Sequence, residues 1–145
     1  MIALLQRVSS ASVTINKETV AIIKKGILVF VGFQPGDSQQ HIDNLLDKII
    51  HYRIFEDSDE KMNLSVTDID GELLIVPQFT LAADTKKGLR PGFSTAASPA
   101  DGKQLFKDFL LTANKQFPKV QQGEFSAKMD VTLTNTGPAT FWLEV

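Results

Sequence analysis

The sequence of 145 residues has no cysteine, only two histidines and no long apolar run. Without cysteine, the chain cannot form disulfides, thiolate metal sites or a cysteine nucleophile, and it suits a reducing compartment. No stretch is long enough to span a membrane, and residues 1–7 lack the basic lead and long apolar segment of a signal peptide. We therefore predict a cytoplasmic protein that makes no membrane contact.

Charge of one sign is also scarce, because 15 basic and 17 acidic side chains leave a net charge of −2. This balance argues against binding nucleic acid through a broad charged surface, although a local basic patch can still hold one end of an RNA. His41 and His51 fall at the start and just past the end of a predicted helix, and neither adjoins a candidate nucleophile. A serine or cysteine triad is therefore not expected.

Several acidic residues cluster in predicted loops. A solvated surface explains these carboxylates better than a metal site does, so we predict no metal and no cofactor. The glycines Gly88, Gly92 and Gly102 do not form a phosphate-binding loop, which leaves nucleoside-triphosphate chemistry without its usual motif. The carboxylates that cluster in these loops are Asp57, Asp59, Glu60, Asp68 and Asp70.

The hydrophobic pattern predicts an α+β fold in a single domain, residues 1–145, with antiparallel sheets closing toward a barrel and two main helices. The first helix begins near Ser38 and carries the apolar stripe Ile42, Leu45, Leu46, Ile49 and Ile50. The second begins at Ser98-Pro99 and ends before Pro118. Extended segments are predicted at 2–8, 12–15, 27–31, 52–55, 73–76, 129–133 and 141–145, and a further one, after a turn at 16–17, ends near residue 23.

One stretch combines a buried strand with polar groups at its end. Residues 73–76 are consecutive aliphatic residues after Asp70-Gly71, a pattern typical of a strand buried on both faces. Pro77 has no backbone N–H, so regular pairing should stop there and leave nearby backbone groups facing a cavity. The next three residues supply an amide, an aromatic ring and a hydroxyl. The stretch indicates either a binding site or an edge strand with a bend.

A second stretch places Gly137-Pro138 between two predicted strands, where such a pair is ordinarily a turn. With other blocks in matching order and spacing, it makes almost the whole chain resemble the D-aminoacyl-tRNA deacylases. The blocks are Arg7-Val8, 52–55, 61–64, 78–85, Arg90-Pro91 and Gly137-Pro138.

The resemblance implies a homodimer that hydrolyses the ester joining a D-amino acid to the terminal adenosine of tRNA. It also implies that the Gly137-Pro138 bond is cis and that each subunit places this dipeptide in its partner's pocket. Three positions depart from the family pattern, which usually has serine at Pro77, aspartate at Thr136 and valine at Ala139. Pro77 removes any contribution of a hydroxyl or N–H there, and the other two are expected to alter only packing around the dipeptide.

The mechanism implied by these residues uses few side chains. We expect backbone N–H groups around Gln78, Phe79 and Thr80 to bind the developing oxyanion, and the ribose 2′-OH of the substrate to orient or activate a water. Thr80 as a covalent nucleophile is the rival role, although no partner base is visible to activate it.

Selection for the D-amino acid is expected to be steric. Gly137 and Pro138 can bring backbone carbonyls close to the α-carbon and reject an L side chain, and glycyl-tRNA should also be cleaved. We add Arg7 and Met129 to this substrate-binding set. Arg7 either ties together the motifs of two subunits or forms a surface ion pair.

A basic loop and two other functional classes complete the hypotheses. Lys86, Lys87 and Arg90 either meet tRNA phosphates or form a solvated loop. A dimeric domain that holds single-stranded RNA or DNA ends without cleaving them is one alternative function. An esterase or thioesterase for small metabolites is another, but the sequence lacks the histidine, acidic partner or metal cluster that such an enzyme needs.

Overall fold

The long strand β1 (Ile2–Ile15) organises the computed structural model, which describes residues 1–86 and 88–145. The first half of β1 pairs with β3 (Gly26–Gly32) and its second half with β2 (Glu18–Ile23). Strand β8 (Asp130–Glu144) pairs with β1 along nearly its whole length. The segments predicted at 2–8 and 12–15 are therefore one strand, as are those predicted at 129–133 and 141–145.

The central pairing of the sheet is parallel. Strand β6 (Glu72–Pro77) runs parallel to β3, and β7 (Val120–Gln122) runs parallel to β6, so the sheet order is β2-β1-β3-β6-β7. The expectation of purely antiparallel sheets is wrong for these two pairs. The reason is the connection, because helix α1 (Gln39–His51) lies between β3 and β6 and allows the chain to return in the same direction.

Both predicted helices are confirmed, with their predicted capping residues. In α1 the stripe from Ile42 to Ile50 is buried, and the backbone N–H of the N-cap Ser38 donates to Nδ1 of His41 at 3.1 Å. Helix α2 (Pro99–Gln116) has Pro99 in its first turn, and the Ser98 hydroxyl accepts a hydrogen bond from the Asp101 N–H at 3.1 Å. No helix in the described part of the chain is long and apolar enough to cross a membrane.

Two apolar clusters lie on opposite faces of β3 and β6. One face packs against α1 and α2 through residues such as Val29, Ile75 and Phe109. The other face, with Leu28 and Leu74, is covered by the β1–β2 hairpin, which curls over the sheet. Strands buried on both faces need continuous apolar sequence, as residues 27–31 and 73–76 have. The result is an α+β domain whose sheet is nearly closed into a barrel.

The remaining extended structure is short. Of the segment predicted at 52–55, only Phe55 is in a strand, β4 (Phe55–Glu56), which pairs with β5 (Met62–Leu64) in a separate small sheet. The hairpin turn at Asn16 and Lys17 is confirmed, with positive φ angles of 50° and 68°.

Candidate active site

The chain leaves the sheet at the end of β6 and forms a turn rich in unpaired backbone donors. The N–H of Gln78 donates to the Val31 carbonyl at 2.8 Å, after which Phe79–Ala82 forms a short 3-10 helix. The N–H groups of Phe79 and Thr80 have no acceptor among the described residues, as is usual for the first residues of a helix. Of the three N–H groups expected to bind an oxyanion, the Gln78 group is thus already engaged and two are free.

The side chains of this turn are accessible. The Gln78 amide nitrogen donates to the Thr80 hydroxyl oxygen, so that hydroxyl is held by an amide and not by a base. The Phe79 ring is 58% exposed and packs against Phe93, with 5.1 Å between ring centroids. Phe93 was not identified from the sequence, because its contact with Phe79 depends on the path of a loop.

Two clefts flank the turn. A largely apolar cleft of about 200 Å³ lies beside Gln78 and Phe79 and reaches to Phe33, Pro99 and Phe125. A wider cleft of about 600 Å³ lies beside Thr80 and is bordered by Lys86 and by Trp142 of β8, which is 51% exposed. Neither Phe125 nor Trp142 was predicted to be near a site, since only the tertiary fold brings them to the turn.

The Gly137-Pro138 pair lies on a bulge of β8. Gln6 pairs with Thr140 and Val8 pairs with Asn135, so residues 136–139 of β8 stand opposite Arg7 alone. The bond between Gly137 and Pro138 is cis, the φ angle of Gly137 is +118°, and both residues are exposed on this chain. The pair is therefore a projection from a continuous strand and not the turn between two strands that its sequence indicates.

Arg7 lies beneath this bulge and is only 7% exposed. Its Nε donates to the Thr136 carbonyl at 2.8 Å, and its Nη1 donates to the Ile54 carbonyl at 2.9 Å. The Glu56 carboxylate lies 3.4 Å from Nη2. Of the two roles considered for Arg7, the ion pair is present, with the half-exposed Glu56, but the arginine side chain itself is buried and also anchors the bulge of its own chain.

Met129 packs beside Gly123, near the end of β6. A Cβ added to Gly123 would stand 2.8 Å from the Met129 sulfur and 3.6 Å from Cδ of Pro77. Met129 is thus a neighbour of the end of β6, whereas we grouped it with Gly137 and Pro138. The substitution of proline for the usual serine at 77 places an apolar ring against Gly123.

The predicted basic loop is exposed. The backbones of Asp84 and Gly92 pair through two hydrogen bonds of 2.8 and 2.9 Å and close the loop at its base. Lys86 and Arg90 are exposed within it. Lys87 lies outside the described residues.

The histidines and loop carboxylates have local structural contacts. His41 caps the start of α1, the Nδ1 of His51 lies 2.9 Å from the Asp47 carbonyl, and neither residue lines the clefts beside the turn. Hydrogen bonds from the Asn63 side chain, and then from backbone N–H groups, hold the pKa of Asp57 below its usual value. No group of three potential metal ligands is found in the part of the chain that the structure describes.

The turn and the bulge are far apart within one chain. Arg7, beneath the bulge, pairs with Ile27, whereas Pro77, before the turn, pairs with Val31 four residues along β3. Three strand spacings also separate β8 from β6 across the sheet. Standard sheet dimensions then put the two motifs on the order of 15–20 Å apart. One chain alone does not bring them into one pocket.

Free N–H donors beside an apolar cleft, with no acid–base side chain hydrogen-bonded to residues 78–80 in the described part of the chain, define a site suited to binding the oxygen of an acyl group. Residues 4–144 match the family model described as D-Tyr-tRNA(Tyr) deacylase. A D-aminoacyl-tRNA deacylase of Haemophilus influenzae (strain 86-028NP) is 52% identical over 145 residues, which is 100% of both chains. One of Legionella pneumophila (strain Lens) is 54% identical over 144 residues, 99% of both. The chain belongs to this deacylase family and is an enzyme of the hydrolase class.

Two solved structures share the fold. A structure titled c-Myc DNA Unwinding Element Binding Protein superposes with a TM-score of 0.96 at 36% identity and covers 100% of this chain and 99% of its own. A structure titled as a probable eukaryotic D-amino acid tRNA deacylase gives a TM-score of 0.83 at 17% identity, covering 99% of this chain and 98% of its own. At that identity the second shows likeness of fold alone.

Proposed function

We propose that this protein hydrolyses the ester between a D-amino acid and the terminal adenosine of tRNA, in the cytoplasm, where tRNA is aminoacylated. Residues 1–145 act as one deacylase domain. The observation that carries the proposal is the pair of free N–H groups on Phe79 and Thr80, which open beside two clefts in a chain of the deacylase family.

In this reaction a water molecule adds to the ester carbonyl, and the negative charge on the carbonyl oxygen is bound by the Phe79 and Thr80 N–H groups. One such donor contributes roughly 3 kcal/mol to stabilising the transition state. The acyl–O3′ bond then breaks, and O3′ leaves with a proton to give the free amino acid and tRNA. The ribose 2′-OH next to O3′ orients the water, since no side-chain base is hydrogen-bonded to residues 78–80 among the described residues; Asp84 and Glu144 line the cleft beside Thr80 but make no hydrogen bond to it.

Thr80 acts in this proposal as a positioning group. Its hydroxyl oxygen accepts a hydrogen bond from the Gln78 side chain, and no histidine or carboxylate is bonded to it among the described residues. A threonine hydroxyl at its ordinary pKa is a weak nucleophile without a base, which favours water as the attacking group.

Selection for the D-amino acid requires the bulge of a second chain. Because the turn and the bulge lie toward opposite ends of one sheet, a two-fold dimer can place each bulge over its partner's turn. The exposed Gly137-Pro138 pair then forms a backbone wall beside the substrate α-carbon, where an L side chain would collide. Glycine has no side chain to reject, so glycyl-tRNA is also a substrate.

The tRNA end is held by the surfaces next to the turn. The terminal base fits the apolar cleft between Phe79 and Phe125; Pro77 lines this cleft, and Met129 packs near Pro77 against Gly123. Lys86 and Arg90, on the exposed loop that follows the 3-10 helix, reach phosphates of the RNA, and we assign Lys87 to the same role from its sequence position.

The central experiment compares hydrolysis of D-tyrosyl-tRNA and L-tyrosyl-tRNA by the purified protein. Cleavage of the D-ester alone is the expected result, and equal cleavage of both would contradict the proposed wall. Phe79→Pro removes one proposed donor at a helix position that tolerates proline, and Phe79→Ala is its control because it removes only the ring. We expect kcat to be about 10²–10³-fold lower for the proline variant than for the alanine variant.

Mixing two inactive variants tests the shared site. Phe79→Pro damages the turn and Gly137→Ala damages the bulge, so a mixed dimer keeps one site with both parts intact. Since half of the randomly formed dimers are mixed, about a quarter of wild-type activity should return on mixing. No recovery, with exchange of subunits demonstrated, would show that turn and bulge do not act across subunits.

A second candidate function is binding of a nucleic-acid end without cleavage. The observation that favours this candidate is the similarity, at a TM-score of 0.96, to the structure titled c-Myc DNA Unwinding Element Binding Protein. This function requires tight binding of single-stranded DNA or RNA and no loss of the aminoacyl ester. Hydrolysis of D-tyrosyl-tRNA at a rate unaffected by excess single-stranded DNA would exclude it as the main activity.

A further inference from the structure

We propose that Asn135 is a positioning residue that sets the discrimination between D- and L-aminoacyl groups, by clamping the bulge that carries Gly137 and Pro138. The inference rests on the proposed function, in which this bulge is the wall beside the substrate. Asn135 itself touches no substrate and acts only through the bulge.

The carboxamide of Asn135 bridges the base of the bulge. Its Oδ1 accepts a hydrogen bond from the backbone N–H of Ala139 at 2.8 Å, and its Nδ2 donates to Oγ1 of Thr140, also at 2.8 Å. The Ala139 N–H can only donate, so it fixes which end of the amide is the oxygen. One half-buried side chain thus links the residue before the bulge to the last residue of the bulge and to the residue after it.

The bulge has two anchors, one on each side of the dipeptide. Arg7 holds the Thr136 carbonyl on the leading side, and Asn135 holds the Ala139 N–H on the trailing side. Ala139 is buried, whereas Gly137 and Pro138 are exposed. A glycine without a side chain explores a wide range of conformations, so the position of the wall depends on these anchors.

Steric selection needs a wall that is well placed. A site held to within about 0.5 Å discriminates between shapes, while a looser one does not. Loss of the Asn135 clamp should therefore admit L side chains before it prevents cleavage of D-esters. The effect appears in the ratio of kcat/KM for D-tyrosyl-tRNA to that for L-tyrosyl-tRNA.

Two substitutions at this position distinguish the effect of the two hydrogen bonds from the effect of side-chain size. Asn135→Leu keeps the size and removes both hydrogen bonds, and the ratio should fall about tenfold or more. Asn135→Asp keeps an acceptor for the Ala139 N–H and offers a second acceptor to the Thr140 hydroxyl, so it should stay within about twofold of wild type. The control is Asn44→Leu, which removes an exposed amide of α1 that accepts a 2.9 Å hydrogen bond from Gln40.

A merely structural role would give a different result. General destabilisation lowers cleavage of the D- and L-esters in parallel and leaves their ratio unchanged. A second measurement needs no substrate: hydrogen exchange of the Ala139 amide should be about tenfold faster in Asn135→Leu than in wild type, and unchanged in Asn44→Leu.

An unchanged ratio in folded Asn135→Leu, or a parallel fall for both esters, overturns the proposal, as does unchanged exchange at Ala139. If Asn135→Leu does not fold, Thr140→Val removes one of the two hydrogen bonds and should lower the ratio by a smaller factor. An unchanged ratio in Thr140→Val would also overturn the proposal. Wild-type protein inert toward D-tyrosyl-tRNA would contradict the proposed function, and the exchange measurement would still decide whether Asn135 clamps the bulge.

Discussion

Arg7 and Thr136 are joined by a 2.8 Å hydrogen bond from the Arg7 Nε to the Thr136 carbonyl, although they are 129 residues apart in sequence. The same guanidinium donates to the Ile54 carbonyl, so one buried side chain connects β1, the bulge of β8 and the start of the small β4–β5 sheet. A departure from the family pattern at Thr136 leaves this contact intact, because the bond is to the backbone.

Replacing Arg7 with lysine should destabilise the protein even though the charge is kept. An ammonium group cannot reach both carbonyls in the geometry of the guanidinium fork, and a buried carbonyl left without a donor costs about 1–3 kcal/mol. Denaturant unfolding measures the loss. Arg53→Lys is the control, since Arg53 also donates to a carbonyl, that of Asn63, but is exposed. A similar cost for both variants would show that burial of Arg7 is unimportant.

Adding a methyl group at Gly137 should abolish D-selective cleavage. The new Cβ would lie 2.1 Å from the Arg7 Nη2, and the φ angle of +118° disfavours any L residue. We expect a fall in kcat/KM of about 10²-fold or more, measured with D-tyrosyl-tRNA. Gly36→Ala is the matched control, since its φ angle is +88° and no atom lies within 4 Å of the added Cβ. Full activity of Gly137→Ala would show that Gly137 is not part of the active site.

Thr80→Ala distinguishes a positioning role from a nucleophilic one. If the hydroxyl only orients neighbouring groups, single-turnover cleavage should persist, lowered by no more than about tenfold for the loss of one hydrogen bond. Rapid-quench assays with enzyme in excess measure this step directly. Near-complete loss of cleavage with unchanged tRNA affinity would instead identify Thr80 as the nucleophile.

Removing the substrate 2′-OH should stop most of the reaction. A D-aminoacyl-tRNA that ends in 2′-deoxyadenosine keeps the ester but loses the proposed water-orienting group, and general catalysis of this kind contributes about 10²–10⁴-fold. Competition with the normal substrate checks that binding is retained. Equal cleavage of the two substrates would require a base from the protein.

Acid should weaken the loop organised by Asp57. Hydrogen bonds from Asn63, Lys61 and Asp59 lower the pKa of Asp57 below 3.8 in the folded chain, so the unfolded chain binds the proton more readily. The stabilisation is therefore complete above the unfolded pKa and is lost as pH falls through the lowered one. The difference in Tm between wild type and Asp57→Asn should shrink as the pH falls toward 2. A constant difference would exclude this carboxylate as the cause.

The elements that depend on local pattern could be read from the sequence. Helix α1 was recognisable because its stripe from Ile42 to Ile50 repeats at helical spacing, and α2 because Ser98-Pro99 is a strong start signal. Strand β1 was divided in two because exposed Ser9 and Ser10 interrupt its apolar pattern, while pairing with β8 continues past them. Pairing between distant strands overrides a local polar break.

The site was predicted only in part, for the same reason. Residues adjacent along the chain, such as Gln78 to Thr80, were found together, but the partners supplied by the fold were not. Phe125 reaches the turn from the segment between β7 and β8, and Asn135 closes the bulge through contacts that appear only when β8 pairs with β1. Continuous apolar runs at 27–31 and 73–76 did carry a signal for parallel pairing, which favours strands buried on both faces.

The partnership of β1 with β8 also governs how the molecule is made. One edge of β1 has no pairing strand until β8, more than a hundred residues later, has been synthesised. At ordinary speeds of translation this delay is roughly 5–25 seconds. During that interval the long, open strand edge can pair wrongly with other nascent chains, so shielding of this edge by chaperones should raise the yield of folded protein.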